Sequence, residues 1–169
     1  MTTPLLSAGP ARLRPLALAD APALYKGFSD PALMRYWAGP PHASVADTED
    51  DVRWWLEHNG DAAWAIELDG AVVGRIGFYK IRDGVREIGV FLLREGQGKG
   101  IALAAVNAIV EDGFSRLGLH RIAADIDQDN AGSIRLFARA GFVYEGRLRA
   151  YWKTHIGIRD SLIYARVNL

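Results

Sequence analysis

Three groups of residues in this chain have the type and spacing to do chemistry. The first is Glu95-Gly-Gln-Gly-Lys-Gly100, set between an apolar alternating run that ends at Leu93 and an alanine-rich run that begins at Ile101. A strand that ends in glycines and runs into a helix presents free backbone N–H groups to an anion, and glycine lets a phosphate come close. Lys99 adds a positive charge beside it. The second group is Asn130, Ser133 and Phe137, spaced i, i+3 and i+7, which puts them on one face of a helix. Asn130 suits a plain helix N-cap, a role compatible with touching a ligand. The third is Glu87, a carboxylate in a β-type run that can take a proton, directly or through a water. Its ordinary alternative is an exposed strand residue paired with Arg86 or another arginine. Asp160 carries the same ambiguity.

The glycine stretch fits one phosphate loop and fails two. A P-loop needs Gly-Lys followed by Ser or Thr, and Lys99 is followed by Gly100. A dinucleotide fingerprint needs G-x-G-x-x-G, and counting from Gly96 or Gly98 the last place falls on Ile101 or Leu103. The pattern [Q/R]-x-x-G-x-[G/A] is met by Gln97, Gly100 and Ala102. A glycine turn that only reverses the chain is the bland alternative.

Bulk properties bound the rest. The chain has 169 residues, half of them hydrophobic, which suits one domain spanning 1–169 with a core that needs no staples. The formal net charge is zero, so no general field draws it to nucleic acid or to an anionic membrane. The absence of cysteine removes disulfides, zinc thiolate sites and a thiol nucleophile, and fits a reducing cytoplasm, the expected location. The four histidines are scattered and form no helical pair, so no metal is expected. The N-terminus lacks a basic region and a long apolar run, so no signal peptide is expected, and no stretch is long enough to span a bilayer.

The elements that must position these groups follow from periodicity and punctuation. Ala11 to Leu16 alternates as a first strand. Asp20, with Pro22 after it, caps a helix to about Phe28, and Asp30-Pro31 repeats the signal for a short helix toward Tyr36. Ser44 and Asp47 form a capping box for a helix from Val45 to His58. Ala62–Leu68, Ala71–Lys80 and Val85–Leu93, separated by Asp69-Gly70 and Asp83-Gly84, make an antiparallel meander. A helix then runs from Ile101 to Leu117, a strand from Leu119 to Asp127, and a helix from Asn130 to Ala140, closed by Gly141. Phe142–Trp152 and Ile158–Val167 are closing strands. The order predicts an α/β (α+β) fold, a mixed central sheet with helices on its faces.

With the glycine signature placed between a meander and a helix, and Asp129–Phe142 after the next strand, the sequence resembles the GNAT N-acetyltransferase superfamily. The second stretch matches that family's motif at Asn130, Ser133, Leu136, Gly141 and Phe142. Trp37-Ala-Gly-Pro-Pro-His42, Glu87-Ile-Gly89, Glu145-Gly-Arg-Leu-Arg149 and Gly157-Ile-Arg-Asp160 look more like its RimJ/RimL subgroup. The likeness covers nearly the whole chain. It implies a strongly twisted mixed sheet in which two neighbouring parallel strands, here Val85–Leu93 and Leu119–Asp127, splay apart to admit acetyl-CoA. It further implies that main-chain groups near Phe91, Leu92 and Leu93 pair with the pantetheine arm. Backbone N–H groups of Gln97, Gly98, Lys99, Gly100, Ile101 and Ala102 would hold the pyrophosphate, and Asn130, Ser133 and Phe137 would line the groove near the sulfur.

The implied reaction is direct transfer of an acetyl group to an amine acceptor, a peptide N-terminal α-amine or a small amine such as a polyamine or aminoglycoside. The family often places a tyrosine acid where this chain has Phe137, which cannot donate a proton. Ser133, on the same face, is the expected substitute, with Tyr144 and Tyr151 as alternatives. Glu87 is the candidate base. Tyr36, Trp37, Trp54 and Trp55 are candidate walls of an acceptor cleft, Arg147 and Arg149 candidate contacts, and Asp47, Glu49, Asp50 and Asp51 a candidate polyamine cluster. A free edge strand would support a homodimer. The rivals are a non-catalytic acyl-CoA sensor, suggested by Phe137, and an unrelated nucleotide-binding module, which conflicts with the two failed loop patterns.

Overall fold

A computed structural model of the chain describes residues 2–169. Eight strands form one sheet in the order β1-β2-β3-β4-β5-β6-β8-β7. They are β1 (Leu6–Ala8), β2 (Ala11–Pro15), β3 (Ala63–Leu68), β4 (Ala71–Arg82), β5 (Val85–Leu92), β6 (Arg121–Asp127), β7 (Val143–Thr154) and β8 (Gly157–Val167). All neighbours run antiparallel except β5 and β6. The helices are α1 (Ala21–Phe28), α2 (Val45–Asn59), α3 (Ile101–Ser115) and α4 (Ala131–Arg139). None is long and apolar enough to cross a membrane.

The strand β3 is buried on both sides, so its sequence is almost continuously apolar rather than alternating. Trp64 and Ile66 point to the α3/α4 face, with Ile76, Phe78, Ile88, Ile122 and Ile126. Ala63 and Ala65 point to the α1/α2 face, with Phe28, Trp55, Phe91 and Leu93. In α3, Ile101, Ala105, Val106, Ile109 and Val110 are fully buried along one stripe, each large side chain contributing about 1.5–3 kcal/mol of burial. A Cβ on Gly27 would meet Leu93 and Phe91 at 2.3 and 2.6 Å, so this glycine lets α1 lie directly on β5.

Three expectations change. Leu6–Ala8 forms a strand turned back on β2 through Gly9-Pro10, a three-residue segment too short to show a period. After Asp30 there is no helix. The Asp30 carboxylate accepts the N–H groups of Ala32 and Leu33, and isolated turn bonds carry the chain to Trp37. Asp20 precedes α1 but does not cap it, because its carboxylate accepts Ala17 N–H and the Arg14 guanidinium instead. The capping box of Ser44 and Asp47 does form at the start of α2.

Candidate active site

The only parallel contact among the described strands is short. Val85, Arg86 and Glu87 pair with Arg121, Ile122 and Ala123, and the pairing ends there. Beyond it β5 stays on β4, and β6 stays on β8. The two strands therefore diverge into a wedge with Glu87 at its apex. Peptide groups of β5 remain unpaired on that side. Leu93 N–H bonds Val73 C=O across β4, so by strand alternation the peptide groups of Val90 and Leu92 point into the wedge. This corrects the expectation for Phe91 and Leu93. Both side chains are buried under α1, the Leu93 carbonyl accepts Gly96 N–H, and alternation turns the Phe91 peptide groups to β4. Leu92 faces the wedge, and its carbonyl accepts Gln97 Nε2 at 3.2 Å.

At the wide end of the wedge lies the glycine loop. Gly98 and Gly100 have φ of +73° and +74°, a backbone that glycine alone adopts easily, and a Cβ at either would point into open space. Gly100 is the residue before α3, and no side chain caps that helix. The N–H groups of Gly98, Lys99 and Gly100 take part in none of the loop's own backbone bonds. They join the unsatisfied first-turn donors of α3, among them Ile101 and Ala102, as an anion cradle. Lys99 Nζ folds back to Glu95 C=O at 2.7 Å. Such a cradle fits a pyrophosphate.

On the opposite wall, β6 leads through a turn into α4. Asn130 Oδ1 accepts Ser133 N–H at 3.1 Å, so the N-cap role is real. Ser133 is half-buried, and its Oγ has no hydrogen-bond partner among the described residues. Phe137 lies deeper than expected, 3% exposed with its ring edge-on to Phe142, so it is part of the core beneath the groove. Tyr144 and Tyr151 are exposed on the edge strand β7.

Glu87 does not pair with Arg86, whose guanidinium takes both oxygens of Asp61 at 2.9 and 2.7 Å. Adjacent strand residues face opposite sides of a sheet, which forbids that pair. The Glu87 carboxyl has no ion-pair partner among the described residues. Burial, and then the charge of Asp125, push its pKa up to about 7. Tyr79 stands opposite it on β4, stacked on Trp55. Asp160, the other candidate base, accepts Arg147 and the N–H of Ala150, whose φ is +51°, so it fastens a bulge in β7.

The remaining candidates disperse. Trp55 is core, while Trp54 is exposed and stacks on His58. Trp37 packs edge-on to Phe28 and Phe91, and its carbonyl and that of Ala38 hold His155 of the β7–β8 turn. Arg147 is engaged by Asp160 and Gln128. The acidic start of α2 is divided among local tasks: Asp47 caps, Asp50 pairs with Arg53, and Asp51 with Arg75. Two residues beside the wedge had no sequence signal of their own. Asp125 shares the face of Glu87 through the period-two pattern of β6, and its Oδ2 accepts Trp152 Nε1–H at 2.7 Å.

Comparison with known proteins agrees with this geometry. Residues 11–143 match the model of the acetyltransferase (GNAT) domain. The chain is 34% identical, over 90% of each sequence, to the uncharacterized N-acetyltransferase p20 of Bacillus licheniformis. It is 27% identical to the spermidine N(1)-acetyltransferase of Escherichia coli (strain K12), over 84% of this chain and 77% of that protein. The structure of Mycobacterium smegmatis RimJ in complex with CoA-disulfide superposes with a TM-score of 0.79 at 27% identity, covering 97% of this chain and 85% of RimJ.

Proposed function

The chain belongs to the GNAT acetyltransferase family, whose reaction depends on acetyl-CoA, and from that premise we propose that it acetylates a primary amine held in the wedge between β5 and β6. The observation that carries this reading is Glu87, a half-buried carboxyl without an ion-pair partner at the point where the strands part.

The residues divide the work by position. The glycine loop from Gln97 to Ala102 binds the pyrophosphate. The peptide groups of Val90 and Leu92 pair with the pantetheine amides as an added strand would. The amine arrives protonated, and Glu87 takes one proton from it. The free lone pair attacks the thioester carbon, and a peptide N–H of β5 stabilises the oxyanion. The C–N bond forms and the C–S bond breaks. Ser133 Oγ–H donates a hydrogen bond to the departing thiolate, which is protonated by the second proton that the new amide nitrogen sheds. The products are the amide and CoA thiol, with the first proton on Glu87 for release to water. The likeness to RimJ favours a peptide N-terminal α-amine as acceptor, and the likeness to a spermidine acetyltransferase favours a small amine.

Calorimetry with acetyl-CoA, beside NAD and ATP as controls, tests the co-substrate, and we expect selective binding at micromolar levels. Ser133→Ala should bind acetyl-CoA like the wild type while turning over about ten- to a hundredfold more slowly. Absence of acetyl-CoA binding would end the reading, and wild-type turnover in the Ser133 variant would remove that residue from the reaction.

A further inference from the structure

The strands β5 to β8 and the turn at 127–130 carry six carboxylates, and four of them are neutralised by arginine. Asp127 and Asp129 share Arg159, Glu145 pairs with Arg121, and Asp160 pairs with Arg147. The two left without a cation are Glu87 and Asp125. They stand on the same face of the sheet, one on each of the strands that diverge. The only hydrogen-bond partner of Asp125 among the described side chains is the neutral indole N–H of Trp152, a residue 45% exposed on the edge strand β7. An indole donor orients a carboxylate without cancelling its charge. The charge of Arg35 acts on Asp127. A negative charge is thus held in place at the mouth of the wedge and left unspent.

We propose that Asp125 is a specificity-determining residue that holds a second ammonium of the acceptor, so that the preferred substrate is a short diamine or polyamine. The inference rests on the wedge being the transfer site with Glu87 as base. Asp125 lies two residues beyond Ala123, the partner of Glu87, an offset of about 7 Å along the strands that suits amines separated by about three to five methylenes. The acceptor enters as a dication. Glu87 removes one proton from the reacting end, and Asp125 keeps the other ammonium. After C–N formation and C–S cleavage the product leaves as a monocation with CoA thiol. A peptide N-terminus, which has no second charge at that offset, leaves Asp125 unpaired.

The test is steady-state kinetics and calorimetry in the presence of CoA, with 1,4-diaminobutane, 1-aminobutane and a peptide bearing a free N-terminus. Wild type should favour the diamine over the monoamine by about tenfold or more in kcat/KM, carried by KM, and bind it more tightly by a similar factor. Asp125→Asn should reduce that preference to within about threefold, with Asp125→Glu keeping part of it. Trp152→Phe, on an exposed side chain, removes the orienting N–H and should raise KM for the diamine, which keeps the test open should Asp125→Asn fail to fold. Equal use of diamine and monoamine, a preference that survives Asp125→Asn, a preferred peptide, or no diamine binding beside CoA would each overturn the proposal. Should Glu87→Gln transfer acetyl at the wild-type rate to the best acceptor, the base assignment itself falls. A wild type without diamine preference, with Glu87 still required, overturns the specificity alone.

Discussion

At the scale of single residues, Glu87 links the fold to a proton equilibrium. Its carboxyl titrates near 7 in the folded chain against 4.5 for an ordinary glutamate, and burial is the larger cause. Because the folded pKa is raised, the folded chain binds a proton between pH 4.5 and 7 that the unfolded chain has released. Stability therefore falls as pH rises through this window, by up to about 3 kcal/mol above it. Glu87→Gln should be more stable than wild type at pH 8 by an amount approaching that figure, and equal to it below pH 4.5. Urea unfolding at the two pH values measures the difference. The same substitution should remove the acid limb of the kcat/KM profile, expected near pH 7 in the wild type, and lower the rate by about 10² to 10⁴. A limb that persists in the variant would assign it to another group. The residue type and strand placement of Glu87 were visible in the sequence, and so was the hydroxyl of Ser133. The depth of Phe137 was not, since helical spacing gives direction but not distance from the core. Asp125 was not either, because an aspartate in an alternating strand looks like any solvated side chain until the neighbouring strand leaves it.

At the scale of elements, punctuation was most legible where the signal is local. The capping box of Ser44 and Asp47, the hairpin at Asp69-Gly70 and the stop at Gly141 all act through their own backbone. The failures came where a local signal had a distant competitor. Asp20 does not cap α1 because Arg14, on the neighbouring strand, and the Ala17 N–H claim it, and the Asp30 turn never propagates because Trp37 is drawn onto Phe28 and Phe91. The junction of α1, α2 and that loop has a second organiser with no sequence signature. Arg75 on β4 is 3% exposed, lies 3.7 Å from the centre of the Trp55 ring, and has Phe28 and Trp37 within 5.2 and 5.6 Å. It pairs with Asp51 at 3.1 Å, yet its Nε finds no acceptor. Asp51 is partly in water and does not depend on the pair for solvation. The volume of Arg75 should therefore matter more than its charge. Arg75→Ala should cost about 2–4 kcal/mol through the cavity it opens, and Arg75→Met under about 1.5 kcal/mol. Chemical denaturation of both variants separates the terms, and an equal loss in the two would show that the charge holds the junction together.

At the scale of the whole molecule, the eight strands form one continuous sheet in which β5 and β6 part after a short parallel contact. The order of elements in the sequence implied a mixed sheet but not this gap, nor the insertion of β8 between β6 and β7. Both depend on pairings between segments far apart in the chain, which periodicity does not report, and only the family resemblance implied the splay. The gap leaves peptide groups of Val90 and Leu92 without strand partners in the interior of the sheet. A co-substrate that fills it completes the sheet, so its binding energy should appear as stability of the entire domain. Acetyl-CoA at about a hundred times its dissociation constant should add about 2.7 kcal/mol, a rise in melting temperature of about 5–10 °C for a chain of this length. Gly98→Val should melt lower without ligand, because valine is strained at a φ of +73°. It should also gain much less from the same acetyl-CoA concentration, because the new side chain occupies the cradle. Amide exchange gives the local counterpart: acetyl-CoA should slow the N–H groups of Val90 and Leu92 in the wild type and leave them fast in the variant. A melting shift without protection at these two positions would mean that the ligand binds outside the wedge, and the divergence of β5 and β6 would then need another purpose.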